Sequence, residues 1–107
     1  MHLRGSRFKF EVTYPTGHVP ASEVLLNVPD YVFHWQALYR LATPKYIPKG
    51  SKILCTAGWD NTVHNVELME AYSDSGISAF SPNTSVSFGE QSYQEMFIGY
   101  LNYAEVP

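Results

Sequence analysis

The run Phe8-Lys9-Phe10-Glu11-Val12-Thr13-Tyr14 alternates apolar and polar side chains without a break. Successive side chains of a strand point to opposite faces. The run therefore predicts a strand with Phe8, Phe10, Val12 and Tyr14 inward and Lys9, Glu11 and Thr13 in water. Extending the same parity backwards puts His2 and Arg4 on the Phe8 side. Tyr14-Pro15-Thr16-Gly17 then closes the strand in a turn, with Pro fixing φ and Gly free to take a positive value.

Further segments follow this lead. Glu23 to Val28 reads as a second strand that stops at Pro29-Asp30, and Lys52 to Trp59 as another, with Ile53, Cys55, Ala57 and Trp59 on one face. Tyr31 to Leu41 is read as a strand for its aromatic density, although Val32, Trp35, Leu38 and Tyr39 also fit a helical stripe. Ser85 to Gly89 and Met96 to Tyr103 complete the set. For the last of these, Ser92 and Glu95 have capping-box spacing, but Gly99 and the neighbouring aromatic residues disfavour a helix. Asp60 to Asn83 is polar and irregular, with Val66 to Tyr72 open to either a short helix or a strand. Long loops of this kind are often functional.

Aromatic side chains make up 15% of the 107 residues, and they pack well on pleated surfaces. Short strands separated by turns then predict one all-β domain over residues 1–107, an antiparallel β-sandwich of jelly-roll type. The net charge of -3 and the lack of a Lys/Arg cluster argue against nucleic acid as a partner. The basic residues from Arg4 to Lys9 read as a solvated strand face. No apolar run approaches the roughly 20 residues that span a membrane, and the amino terminus carries no signal-peptide core. The lone Cys55 has no partner for an internal disulfide and reads as a core filler.

Candidate chemistry is sparse. His2, His18, His34 and His64 show no HxH or HExxH spacing. His64 lies in the long loop, where binding residues concentrate. No GxSxG nucleophile elbow occurs, and the carboxylates are spread singly. Met96 on an aromatic run is, by composition, a core side chain.

A set of fragments in order along the chain carries more. They are Met1-His2-Leu3-Arg4-Gly5, Tyr14-Pro15, Val28-Pro29-x-Tyr31-x-Phe33-x-Trp35-Gln36, Tyr39-Arg40-Leu41-Ala42-x-Pro44, Pro48-Lys49-Gly50, Asp60-Asn61 and Gly89-x-Gln91-x-x-x-Glu95-Met96-x-x-Gly99. Together they resemble the C-terminal domain of the copper type II, ascorbate-dependent monooxygenases, the superfamily of peptidylglycine α-hydroxylating and dopamine β-monooxygenases, in its bacterial branch.

The resemblance implies a jelly-roll sandwich holding one copper, with His2 as the second histidine of an HxH pair and Met96 as the thioether ligand. His64, just past Asp60-Asn61, is the candidate third ligand. Imidazole and a soft thioether suit a copper ion that cycles between oxidation states. The first histidine of the pair falls ahead of residue 1. The family's N-terminal copper domain falls outside the 107 residues, so the chain alone is expected not to hydroxylate. Its expected partner is that domain or a second copy of itself, in a secreted or periplasmic setting. The competing expectation is a non-catalytic β-sandwich for binding or assembly, with Trp59, Tyr93, Tyr100 and Tyr103 lining a ligand or subunit interface.

Overall fold

The strand at Gly5–Thr13 (β1) is the middle member of a three-stranded antiparallel sheet in the computed structural model, which describes residues 1–107. Ser22–Val28 (β2) pairs on one side of it and Lys52–Trp59 (β3) on the other. Phe8 lies opposite Val28 and Ala57, Phe10 opposite Leu26 and Cys55, and Val12 opposite Glu23 and Ile53. Residues directly opposite share a face, so these pairs build one largely apolar side. Lys9 and Glu11 occupy the other side and form an ion pair at 2.9 Å. The alternation read from the sequence is this two-faced sheet.

The helix Val66–Ser75 (α1) starts at Asn65, whose Oδ1 accepts the Leu68 backbone N–H at 3.1 Å. It stops at Gly76, which takes a left-handed φ of 64° and gives its N–H to the Tyr72 carbonyl. The helix packs against neither face of the sheet. Its Leu68 joins Leu3 and Phe80, the latter from a single 3₁₀ turn at Ser78–Phe80, with Phe33, Ala71 and Tyr93 around them.

The expected jelly-roll sandwich is not what forms. The fold is mixed α/β, with one open sheet and a genuine helix and no second sheet to close over it. Tyr31 to Leu41 pairs with no strand. Its backbone donors are engaged elsewhere: Tyr31 N–H reaches the Ser6 carbonyl, and Phe33 N–H reaches the Glu67 carboxylate of α1 at 2.9 Å. Ser85 to Gly89 contributes only an isolated bridge between Phe88 and Glu95.

Met96 to Tyr103 crosses the sheet instead of extending it. A Cβ on Gly99 would lie 2.8 Å from the Phe10 ring, 3.0 Å from the Phe8 ring and 3.2 Å from Cys55 Sγ. The glycine is there because the backbone rests directly on the apolar face.

Only nine of the 107 residues are buried. The radius of gyration is 17.2 Å, against about 13 Å for a compact chain of roughly this length. Large apolar side chains such as Trp35 and Leu38 stay exposed, because the segments that carry them lie along the sheet and have no layer above them.

Asn65 ties helix and sheet together. Its Nδ2 donates to the carbonyls of Leu3 and Asp60 while Oδ1 caps α1. Asn65→Ala is expected to lower unfolding free energy by about 1–3 kcal/mol. Asn65→Asp keeps the capping oxygen but turns an anionic oxygen toward two carbonyls, so it should destabilise too, although Asp normally caps as well as Asn. Urea unfolding of both variants checks this, and a neutral Asp variant would show that the two carbonyl contacts contribute nothing.

Candidate functional site

Arg4, 1% exposed, lies just ahead of β1. Its guanidinium donates to Asn61 Oδ1 at 2.7 Å, the Tyr93 carbonyl at 2.6 Å and the Ala79 carbonyl at 3.0 Å. None of these acceptors is a carboxylate. Burial depresses the guanidinium pKa, and the negative charge of Glu95 nearby opposes that. Glu95 Oε1 accepts the backbone N–H of Arg4 at 2.8 Å, and Oε2 accepts the His2 N–H at 2.8 Å and Trp59 Nε1–H at 3.0 Å. Asn61 extends the network through Nδ2 to the Thr84 carbonyl, and Asp60 N–H closes it on the Arg4 carbonyl. The amino-terminal segment, the end of β3 and the loops around residues 79–84 and 93–95 are thereby held at one point. The sequence reading of Arg4 as part of a solvated face is corrected by its burial.

Two cavities flank this knot. The smaller, about 370 Å³, is lined by Arg4, Trp59, Asn61, Val86, Ser87, Phe88, Glu95, Met96 and Phe97. The polar side chains of Arg4, Asn61 and Glu95 are already engaged with protein partners, which leaves little to recognise a ligand.

The larger cavity, about 500 Å³, lies over the apolar face of the sheet, and fifteen of its nineteen lining residues are hydrophobic. Phe8, Phe10, Leu26 and Val28 come from the sheet, Tyr31 to Tyr39 supply one flank, and Met96, Ile98 and Tyr100 supply the other. His2 and Asp30 are the imidazole and the carboxylate in its lining, beside the phenols of Tyr31, Tyr39 and Tyr100. His2 Nδ1 lies 2.9 Å from the Gln94 carbonyl, and its ring meets Phe33 edge-on at 5.7 Å. A carbonyl only accepts, so a neutral His2 carries its hydrogen on Nδ1. Nε2 keeps a lone pair that no protein group uses.

The structure brings together two of the three residues expected as metal ligands. His2 and Met96 line the same cavity. His64 does not join them: it is exposed in the turn after β3, its backbone N–H on Thr62 Oγ1, and it lines neither cavity. The copper expectation is corrected accordingly. Nowhere do three or more His, Cys, Asp or Glu side chains gather to hold a metal ion. Among the aromatic residues expected at an interface, Tyr100 lines the groove and Trp59 the smaller cavity. Tyr93 packs on Phe80 and Tyr103 is exposed. The sequence reading does not single out Asp30 or the free nitrogen of His2, which both belong to the lining. The crowding of aromatics from Tyr31 to Tyr39 was the available signal, but it was assigned to a strand.

Comparison with protein-family models, with curated proteins and with solved structures finds no match to this chain.

A further polar cluster anchors the far end of the sheet. Tyr14 stacks on His18 with centroids 4.1 Å apart, and Lys45 pairs with Glu23 of β2. Burial raises the Tyr14 pKa, with Glu23 adding to the effect. The Tyr14 hydroxyl is buried without a hydrogen-bond partner of sound geometry. The hydrogen bond from Lys45 holds Glu23 below the usual carboxylate range, and the same bond raises Lys45.

Two expectations follow from these contacts. Glu95→Gln places an NH₂ against N–H donors on one side or the other, which should cost about 1.5–3 kcal/mol and shift the Trp59 emission. Urea unfolding followed by fluorescence measures both. Because Glu23 is depressed in the folded state, its contribution is present above about pH 4.3, the ordinary glutamate value, and is lost as pH falls through the folded value. The acid-induced fall in the denaturation midpoint should therefore be smaller in Glu23→Gln; an unchanged acid profile would mean that the ion pair adds nothing.

Proposed function

We propose that the chain is a non-catalytic binding module whose aromatic groove receives a small, largely apolar ligand bearing one hydrogen-bond-donating head. The observation that carries this reading is the groove itself. Its volume falls in the range of about 300–1,000 Å³ typical of ligand sites, and its apolar lining is interrupted by few polar groups. The sheet supplies a rigid floor, and the aromatic flanks supply contact area at small entropic cost. His2 Nε2 is the acceptor for the ligand's donor, with Asp30 and Gln36 as further polar groups of the lining.

Catalysis has less support. No nucleophile and base are hydrogen-bonded to each other in the groove, and the His2 ring is oriented by a carbonyl, not by a carboxylate. Hydroxylation of the kind implied by the resemblance requires a metal for which no cluster of ligands exists. The residues that carry the resemblance also have a different use here. Arg4, Asn61 and Glu95 are spent on one another and on backbone groups, which is framework work and not chemistry.

Indole and 1-methylindole share a ring system but differ in a single N–H donor, so they separate shape from hydrogen bonding. Titrated against ¹⁵N-labelled protein, indole should shift the amides of Phe33, Trp35, Met96 and Tyr100 and bind several-fold more tightly than 1-methylindole. His2→Phe should erase that preference, and Trp35→Ser, at a side chain 77% exposed, should weaken both probes while the fold is kept. Equal binding of the two probes to the native protein would remove His2 from recognition. Shifts confined to residues outside the groove would overturn the reading.

A further inference from the structure

β3 is an edge strand with nothing beside it. It pairs with β1 in regular register from Thr13 opposite Lys52 to Arg7 opposite Gly58. No hydrogen bond within the chain reaches its outward-facing N–H and C=O groups. The other edge, β2, is different. The chain returns past it through residues 31–45, places Lys45 on Glu23, and its pairing with β1 is interrupted by a register shift between Phe10 and Glu11. Edge strands are usually blunted by charges, proline or a bulge near their middle. β3 has only Lys52 at its start and a register shift against β1 at its end, between Gly58 and Trp59, and its Leu54 is 59% exposed.

We propose that β3 pairs antiparallel with β3 of a second copy, about a two-fold axis through Thr56 and perpendicular to the sheet. The parity of the strand selects this arrangement. For both apolar faces to lie on the same side, each residue must face one of the same parity, so a single residue sits on the axis. An axis at Cys55 sets Lys52 against Gly58 of the second copy and leaves its charge unanswered. An axis at Thr56 sets Lys52 against Asp60, Ile53 against Trp59, Cys55 against Ala57, and Thr56 against itself. An opposite-charge pair, a β-branched/aromatic pair and a Thr–Thr pair are the cross-strand combinations that favour pairing. The two sheets become one continuous sheet with both apolar grooves on the same side. An isologous contact of this kind closes on itself and uses up the open edge. The proposal does not rest on the ligand reading of the groove.

Sedimentation velocity across a range of concentrations gives the mass, and the register is read by oxidation of single-cysteine variants. The native chain should sediment as a dimer. Thr56→Cys in a Cys55→Ala background should cross-link to a dimer under mild oxidation, because an on-axis pair falls within disulfide reach. The native chain, with Cys55 offset from its copy, should not cross-link. Lys52→Glu faces Asp60 with a like charge at two symmetry-related positions and should raise the dimer dissociation constant about tenfold. Unchanged far-UV circular dichroism confirms that the fold is intact. A monomer at every concentration overturns the proposal. So does cross-linking through native Cys55, or a dimer weakened by Trp35→Ser and indifferent to Lys52→Glu, which would place the contact at the groove.

Discussion

A buried arginine whose guanidinium meets no carboxylate holds this molecule together. Taking a guanidinium out of water is costly unless its donors are satisfied. Arg4 satisfies them with one side-chain amide oxygen and two backbone carbonyls from separate parts of the chain. The compensating charge sits on Glu95, which spends its oxygens on the N–H groups of His2, Arg4 and Trp59. Neither ion is free to move toward the other without orphaning a donor. The knot is therefore a geometric constraint more than an attraction: removing the Arg4 side chain orphans Asn61 Oδ1 and two carbonyls, and removing the Glu95 carboxylate orphans the N–H groups of His2, Arg4 and Trp59.

That constraint explains how a chain with so small an apolar core keeps a definite shape. Leu3, Leu68 and Phe80 form a cluster off the sheet, and the amino-terminal residues that lead into β1 are what connect it to the strands. Leu3 enters the cluster, Arg4 enters the knot, and β1 begins at Gly5. Asn65 adds a second link by holding the Leu3 carbonyl while it caps α1. Three neighbouring positions thus join helix, knot and sheet, and His2 is carried to the lining of the groove by the same short stretch.

The three strands were legible because unbroken alternation marks the first and turn residues bound the other two. The helix was only half legible. Asn65, Leu68, Ala71 and Gly76 are a capping residue, an inward pair and a stop signal, but the apolar stripe is too thin to separate helix from strand. Tyr31 to Leu41 and Met96 to Tyr103 were read as strands because aromatic alternation looks the same whether a segment pairs with a neighbour or lies flat on a sheet. Gly99 was the telling residue: a glycine amid large side chains marks close backbone approach, and here the backbone rests on Phe8 and Phe10. At the site, the family resemblance implies His2 and Met96 together, and both line one cavity, while His64 stays apart. Nothing in the local pattern around Arg4 or Glu95 revealed their roles, because each depends on partners distant in sequence.

Met96 is where these constraints meet. It follows Glu95 directly, so its backbone is fixed by the knot, and its side chain lines both cavities. Three residues later Gly99 rests on the rings of Phe8 and Phe10. The flank of the groove formed by Met96 to Tyr100 is therefore pinned at one end by hydrogen bonds and in the middle by backbone-to-ring packing. Beyond that the chain is free of the sheet, with Tyr100 84% exposed. The opposite flank is pinned in the same manner at its start, through Tyr31 on Ser6 and Phe33 on Glu67, and is loose by Trp35. Both walls are hydrogen-bonded or packed nearest His2 and more exposed away from it. A ligand's polar head would meet preorganised groups, while its apolar body would meet side chains that can still adjust. In the ligand-binding reading proposed above, recognition would be set by the head, because the fixed end is where a mismatch is penalised.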